Sequence, residues 1–296
     1  MLAAGGRDLF VGRAVEMAQL SAALEDALAG RGRIVTIVGE PGIGKTRTAE
    51  EFAAIASARN AEVLWGRCPE ERGAPPYWPW SQVIAAHAGA ISADTLREQL
   101  GRGAAVVADV VPAVAERLPG LDPASSLDDP ESARFRLFES ISTFLKRASQ
   151  ACPLVIVLDN LHWADAASLR LLEFVADDLP SARILIAGIY RDVDVSVDHP
   201  LFATLGELTR QRTFTRVLLR GLDRDATRDL IAATANAVPS VELGGLVHLQ
   251  TEGNPLFIRE TARLMEAEGV LTSAGRAWSS ATSACRRVFV KSSAGG

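Results

Sequence analysis

The chain has 296 residues, 48% hydrophobic and 23% charged, enough apolar material for a sizeable core in one large or two smaller domains. Its net charge of −5 gives no electrostatic footprint for a nucleic-acid duplex or an anionic membrane, so direct nucleic-acid binding by this segment is not expected. No apolar run approaches the roughly 20 residues of a bilayer span, residues 1–6 lack the layout of a signal peptide, and Cys68, Cys152 and Cys285 show no CxxC spacing; these features point to a cytoplasmic globular protein with reduced thiols, not to a membrane, disulfide-framed or zinc protein.

Taken in chain order, the first informative run is Arg33–Val38, a short β-branched stretch bounded by glycine-rich sequence that reads as a buried strand. It leads into the loop Gly39-Glu40-Pro41-Gly42-Ile43-Gly44-Lys45-Thr46. From Arg47 to Ala56 the residues are good helix formers with apolar positions at helical spacing. Strand, glycine-rich loop and helix form the context in which such a loop binds phosphate. The glycines let backbone N–H groups face the β- and γ-phosphates at a helix N-terminus. Lys45 adds a point charge to them, and the Thr46 hydroxyl is placed to hold Mg²⁺. Only three lysines occur in the chain, Lys45, Lys146 and Lys291, so a lysine at this position is not a compositional accident.

Leu154–Leu158 is an uninterrupted apolar run, which marks a central parallel strand covered on both faces. It ends in Asp159, a carboxylate at the strand end where open α/β sheets bind ligands, and so the natural partner of a Mg²⁺ held by Thr46. Asn160 follows where many P-loop ATPases carry the acid that orients the attacking water. An amide can position water but cannot take up its proton, which argues for slow hydrolysis. Asp165 is placed to cap a helix over residues 166–175. His162, beside Trp163, is read evenly as a nucleotide-sensing residue or as a packed, hydrogen-bonded one. The strand Arg183–Tyr190 delivers Arg191 to the same side of the sheet, either as a contact to the γ-phosphate or as a surface ion pair with Asp192 or Asp194. A last strand near 215–219 and two amphipathic helices, over 223–232 and 255–268, complete the pattern.

Phe10 to Arg13, the loop, Leu158 to Asp165, Tyr190-Arg191 and Gly253 to Phe257 together resemble the AAA-type (STAND-class) ATPase domain of large LuxR-type bacterial transcriptional regulators. The resemblance covers residues 8–272 and includes the aromatic segment Gly73 to Trp80, expected to form a packed loop. It implies an α/β P-loop NTPase fold with a central, mostly parallel sheet followed by a small helical lid. The expected boundaries are a core over 1–197, the last strand and lid over 198–275, and a tail over 276–296. It further implies that Val11 and Arg13 line the adenine side of the site, that Pro255 lies over the base, and that ATP or ADP is bound with Mg²⁺. The family has Asp-Asp where this chain has Asp159-Asn160, and often Thr where it has Ile189; both departures lower the expected catalytic competence.

The family continues past the lid into sensor repeats and a DNA-binding helix-turn-helix. Here Trp278 to Gly296 shows neither helical nor strand periodicity. A shifted reading frame near residue 277 would restore the family's pattern, so this tail is expected to be unselected and disordered and the product to lack its output domains. The sequence therefore points to a nucleotide-controlled regulatory switch with weak ATPase activity and a possible nucleotide-dependent oligomer. The alternatives are an active AAA ATPase that remodels a partner or nucleic-acid complex and, last, a small-molecule kinase, for which no acceptor site is visible. Arg210, Arg212 and Arg216 are arginines near a lobe boundary and no more.

Overall fold

The computed structural model describes residues 9–70, 73–122 and 129–269. In chain order the elements are α1 (Ala14–Leu28), β1 (Arg33–Val38), α2 (Lys45–Ala58), β2 (Glu62–Arg67), α3 (Trp78–Ala90), α4 (Ala93–Leu100), α5 (Ala104–Ala108), α6 (Pro112–Arg117), α7 (Pro130–Ala151), β3 (Leu154–Asp159), α8 (Ala166–Asp178), β4 (Ile184–Tyr190), α9 (Pro200–Thr209), β5 (Phe214–Leu218), α10 (Arg224–Ala235), α11 (Val241–Thr251) and α12 (Pro255–Ala267). They divide into two compact units, one of residues 17–39 and 45–218 and the other of residues 9–16, 40–44 and 219–269. The tail from 276 lies outside the described residues. Among those residues no helix is long and apolar enough to cross a membrane.

The larger unit is built on a five-stranded, all-parallel sheet in the order β2-β3-β4-β1-β5. The α/β fold with a parallel sheet is the one expected. β3 and β4 are buried along their whole length and β1 along all but Arg33, while the edge strands β2 and β5 are only partly buried. A strand covered by helices on both faces needs apolar side chains at every position, and an edge strand needs them at every second one. Register sets Val38 beside Tyr190, Leu158 beside Gly188 and Arg67 beside Asp159. The carboxyl ends of β1 to β4 therefore finish along one edge of the sheet, which is where the charged residues sit.

The aromatic segment behaves differently from the expected packed loop. It is a loop only as far as Tyr77, which adopts a left-handed backbone at φ 64°, and from Trp78 it is the start of α3 with proline in the first turn. Proline suits that turn because its missing N–H has no helical partner there. Trp80 is buried and its indole Nε1–H donates to the Ser168 carbonyl at 3.1 Å, tying α3 to α8. Asp165 caps α8 as expected, accepting the Ser168 amide at 2.9 Å.

The smaller unit packs α10, α11 and α12 around Leu222, Leu230, Ile231, Val247, Ile258 and Met265, with Val11 against that cluster. Asp223, Ser240 and Asn254 each cap the helix that follows through a side-chain oxygen, each stabilising its helix by about 1 kcal/mol. Cys68 and Cys152 are free thiols; Cys285 lies outside the described residues.

Candidate functional site

In the sheet unit, β1 ends at Val38 and α2 begins at Lys45, with the glycine-rich loop between them in sequence. Lys45 is buried, and its ammonium donates to the Gly39 carbonyl at 2.7 Å. Burial, and then the neighbouring charge of Arg191, pull its pKa from 10.5 down to about 8. Without an anion, the protein holds this ammonium in surroundings that disfavour its charge. Arg47, one residue past Thr46, is engaged along α2 by Glu50 at 3.5 Å and by Glu51.

Asp159 ends β3 and is 2% exposed. Burial raises its pKa despite the opposing charges of Arg67 and Lys45, the Asn160 amide and the Thr46 hydroxyl. Arg67 reaches its Oδ2 at 3.5 Å from the end of the neighbouring strand, while Oδ1 is buried and has no hydrogen-bond partner. A buried carboxylate oxygen left unpartnered is costly, and a divalent cation satisfies it. No cluster of three or more metal-ligating side chains exists among the described residues. The Thr46 hydroxyl and Asp159 carboxylate thus fit a Mg²⁺ whose remaining ligands come from phosphate oxygens and water, the arrangement a hard, reluctantly dehydrated cation favours.

Asn160 takes a left-handed backbone at φ 60°, which asparagine tolerates, and a 3₁₀ turn over Leu161–Trp163 follows. His162 is buried, with its ring 5.4 Å from that of Trp163, but neither ring nitrogen has a hydrogen-bond partner. Of the packed, hydrogen-bonded reading the packing holds and the hydrogen bonding does not. Burial and the positive charges of Arg191, Lys45 and His199 push its pKa to about 4 against the pull of Asp194. Arg191 follows β4 and reaches Asp194 Oδ2 at 3.7 Å, the ion pair that the sequence offered as its second reading. Lys45, Asp159, His162, Arg191 and Asp194 form one electrostatic neighbourhood.

In the smaller unit, residues 40–44 of the loop are held by backbone and side-chain bonds. Asn254 Nδ2 donates to the Pro41 carbonyl at 3.0 Å, and its Oδ1 accepts the Leu256 amide at 3.1 Å, which also lies 3.3 Å from the Gly42 carbonyl. Gly42 has φ 76°, and a Cβ there would fall 2.8 Å from Leu256 Cβ, so only glycine fits. Arg13 is buried and donates to the carbonyls of Ile43 at 2.9 Å and Arg220 at 2.7 Å, and pairs with Glu16 at 3.1 Å. Its guanidinium is thereby committed to framing the loop. Pro255 occupies the first turn of α12, and its neighbour Asn254 makes the loop contact. Sequence singled out the Gly253 to Phe257 motif but assigned Pro255 within it and not Asn254; the signal for Asn254 was its position immediately before a Pro that opens a helix.

A sequence model of the AAA ATPase domain matches residues 9–187, more than half of the chain. The chain belongs to the AAA ATPase domain family. An uncharacterized protein of Rhizobium meliloti (strain 1021) is 27% identical over 276 residues, a match that covers 84% of this chain and 24% of that protein. Among solved structures, Cdc6p of Pyrobaculum aerophilum superposes with a TM-score of 0.52 at 17% identity, over 89% of this chain and 64% of that one. A STAND protein with a tetratricopeptide repeat sensor from Pyrococcus horikoshii gives a TM-score of 0.46 at 16% identity, over 96% of this chain and 33% of that one. The structural likeness shows the fold. This AAA ATPase chain spans about a quarter of the length of the curated relative.

Proposed function

We propose that this chain is the nucleotide-binding switch of a larger signalling protein, of the kind found in LuxR-type bacterial transcriptional regulators. It binds ATP and ADP with Mg²⁺ and hydrolyses ATP slowly. The observation that carries the reading is the pair Asp159-Asn160 at the end of β3: a buried carboxylate with an unpartnered oxygen suited to Mg²⁺, followed by an amide.

In this reading the backbone of residues 39–44 and the Lys45 ammonium hold the β- and γ-phosphates. Thr46 and Asp159 orient the cation, and Arg191 contacts the γ-phosphate. Mg²⁺ held by Thr46 and Asp159 would supply charge neutralisation to the phosphates. Asn160 can align a water through its amide oxygen but cannot remove the proton, so the step lacks the general base that contributes about 10²- to 10⁴-fold in rate. Val11 and Arg13 frame the base side of the site, with Pro255 over the base. The length of the Rhizobium meliloti relative supports a longer parent protein; in this reading nucleotide state is passed to sensor and DNA-binding segments. Assembly into a nucleotide-dependent oligomer and a cytoplasmic location belong to the same reading.

The test is ATP and ADP affinity with Mg²⁺ together with the steady-state hydrolysis rate, for wild type, Lys45→Ala and Asn160→Asp. Tight binding that Lys45→Ala abolishes, with slow turnover that Asn160→Asp raises about tenfold or more, is expected. Brisk wild-type turnover, unchanged by Asn160→Asp, would replace the switch with an active ATPase.

A further inference from the structure

We propose that the Asp194 carboxylate is shared in alternation by two partners: when a bound triphosphate draws Arg191 onto its γ-phosphate, Asp194 is released to accept a hydrogen bond from His162 Nε2–H, and His162 becomes the positioning residue that marks the triphosphate state. The inference rests on the reading of Arg191 as the γ-phosphate contact.

The geometry is that of one oxygen with two suitors. Arg191 lies 3.7 Å from Asp194 Oδ2, and His162 Nε2 lies 3.7 Å from the same atom. Both separations exceed the 2.7–3.2 Å of a made hydrogen bond. Asp194 therefore completes neither contact in this structure, and a displacement of about 1 Å toward either partner decides between them.

His162 has the stronger need of the two. It is 3% exposed, so water does not serve its ring, and Nδ1 and Nε2 both lack partners. A buried polar group in that state costs free energy that a single hydrogen bond recovers. Arg191 is more than a third exposed and can exchange Asp194 for another anion, including a phosphate, at little cost.

Electrostatics point the same way. The charged groups acting on the imidazole are Arg191 beyond β4, Lys45 at the start of α2, His199 before α9, and Asp194 itself. The three cationic or titratable groups oppose protonation, and only Asp194 favours it. Neutralising Arg191 with phosphate removes repulsion and frees the one attractive charge. The His162 backbone is tied to the first turn of α9, because His199 Nε2–H donates to the His162 carbonyl at 3.0 Å while its Nδ1 accepts the Leu201 amide at 3.1 Å.

The test reads His162 directly, by ring ¹H–¹³C spectra of the histidine-labelled 296-residue chain, which has four histidines; the His162→Gln variant assigns the signal. With a Mg²⁺-bound non-hydrolysable triphosphate, the His162 midpoint is expected to rise by about one pH unit or more relative to the nucleotide-free and ADP-bound chain. The rise should be markedly smaller in Asp194→Asn, where only the loss of the Arg191 repulsion remains. Nucleotide-free Arg191→Ala should reproduce the full rise, and Arg191→Ala combined with Asp194→Asn only that smaller part. Equal midpoints in wild type and Arg191→Ala, or a triphosphate-induced rise as large in Asp194→Asn as in wild type, would overturn the proposal. Nucleotide binding is followed separately with a fluorescent analogue. A chain that binds no nucleotide yet shows the Arg191→Ala rise refutes the nucleotide reading and its coupling to Asp194, and leaves only the competition for that carboxylate.

Discussion

The depressed pKa of Lys45 makes nucleotide affinity a function of pH with a calculable slope. The ammonium is buried and titrates at about 8 in the unliganded chain, first because of burial and then because of Arg191. Phosphate binds the protonated form, so above that pH binding must take up a proton. The protonated fraction falls from about nine-tenths at pH 7 to about one-tenth at pH 9, so affinity should weaken about tenfold, or about 1.4 kcal/mol. ADP with Mg²⁺ is the ligand of choice, because a terminal phosphate with a pKa near 6 has finished ionising before this window opens. The assay is equilibrium titration at pH 7, 8 and 9 at constant ionic strength, for wild type and for Lys45→Arg, whose guanidinium stays charged throughout. A flat wild-type profile, or the same slope in Lys45→Arg, would refute the reasoning. The same shift has a stability consequence with a fixed sign. The folded pKa lies below the unfolded value of 10.5, so the unliganded chain binds fewer protons than the unfolded one between about pH 8 and 10.5, and its stability rises with pH across that interval. Lys45→Met should therefore melt at a higher temperature than wild type at pH 7 without nucleotide, and the difference should shrink toward pH 10.

Two further outcomes follow from named contacts. Asn254→Ala removes the cap of α12 and the bond to the Pro41 carbonyl, together about 1–2 kcal/mol in urea unfolding. Asn254→Asp keeps the cap acceptor and loses the donor, so it should recover about half of that stability while still binding nucleotide more weakly than wild type. His87 is buried between Glu62 and Gln99, each 2.8 Å from a ring nitrogen; burial alone would lower its pKa, but the two hydrogen bonds and the Glu62 charge outweigh it and the pKa is raised. Its extra contribution is present below the unfolded value of 6.5 and is lost as pH rises through the folded value. Unfolding free energy measured from pH 6 to pH 8 should therefore decline relative to His87→Gln, and parallel curves would show that the imidazolium is not the stabilising form.

Much of the fold was legible because the central strands of a parallel sheet are apolar at every position. β1, β3 and β4 could be bounded within a residue from that pattern, and the loop after β1 is specific enough to name the phosphate site. β2 was not legible. Its partly exposed face breaks the apolar run, and Gly66, whose absent Cβ makes room for the Pro79 carbonyl of α3, reads locally as a turn. α11 was missed for a similar reason, since Gly244 and Gly245 lie in its middle and disfavour a helix by propensity. Sequence could nominate site residues where one residue type has one expected job, as with Lys45, Thr46 and Asp159. It could not where the job depends on a partner far away in sequence. Nothing near Arg13 announces that its guanidinium will be used on the carbonyls of Ile43 and Arg220, and nothing near His162 announces that Asp194 will stop 3.7 Å short.

Three buried groups at the carboxyl edge of the sheet are in energetically poor surroundings at once. Lys45 is charged where charge is disfavoured, Asp159 keeps an unpartnered oxygen and a raised pKa, and His162 has two unpartnered ring nitrogens. Side chains of opposite character cannot all be relieved by a shift of pH, because protonating Asp159 would leave Lys45 with less opposing charge, and deprotonating Lys45 would do the same to Asp159. Nor does apolar packing serve, since each would remain a buried polar group. A ligand that carries negative oxygens and a divalent cation together relieves Lys45 with the first and Asp159 with the second, and through Arg191 it can free Asp194 for His162. The arrangement suits a cation–phosphate pair better than either ion alone, and a ligand that relieves all three groups shifts the population toward the state that binds it.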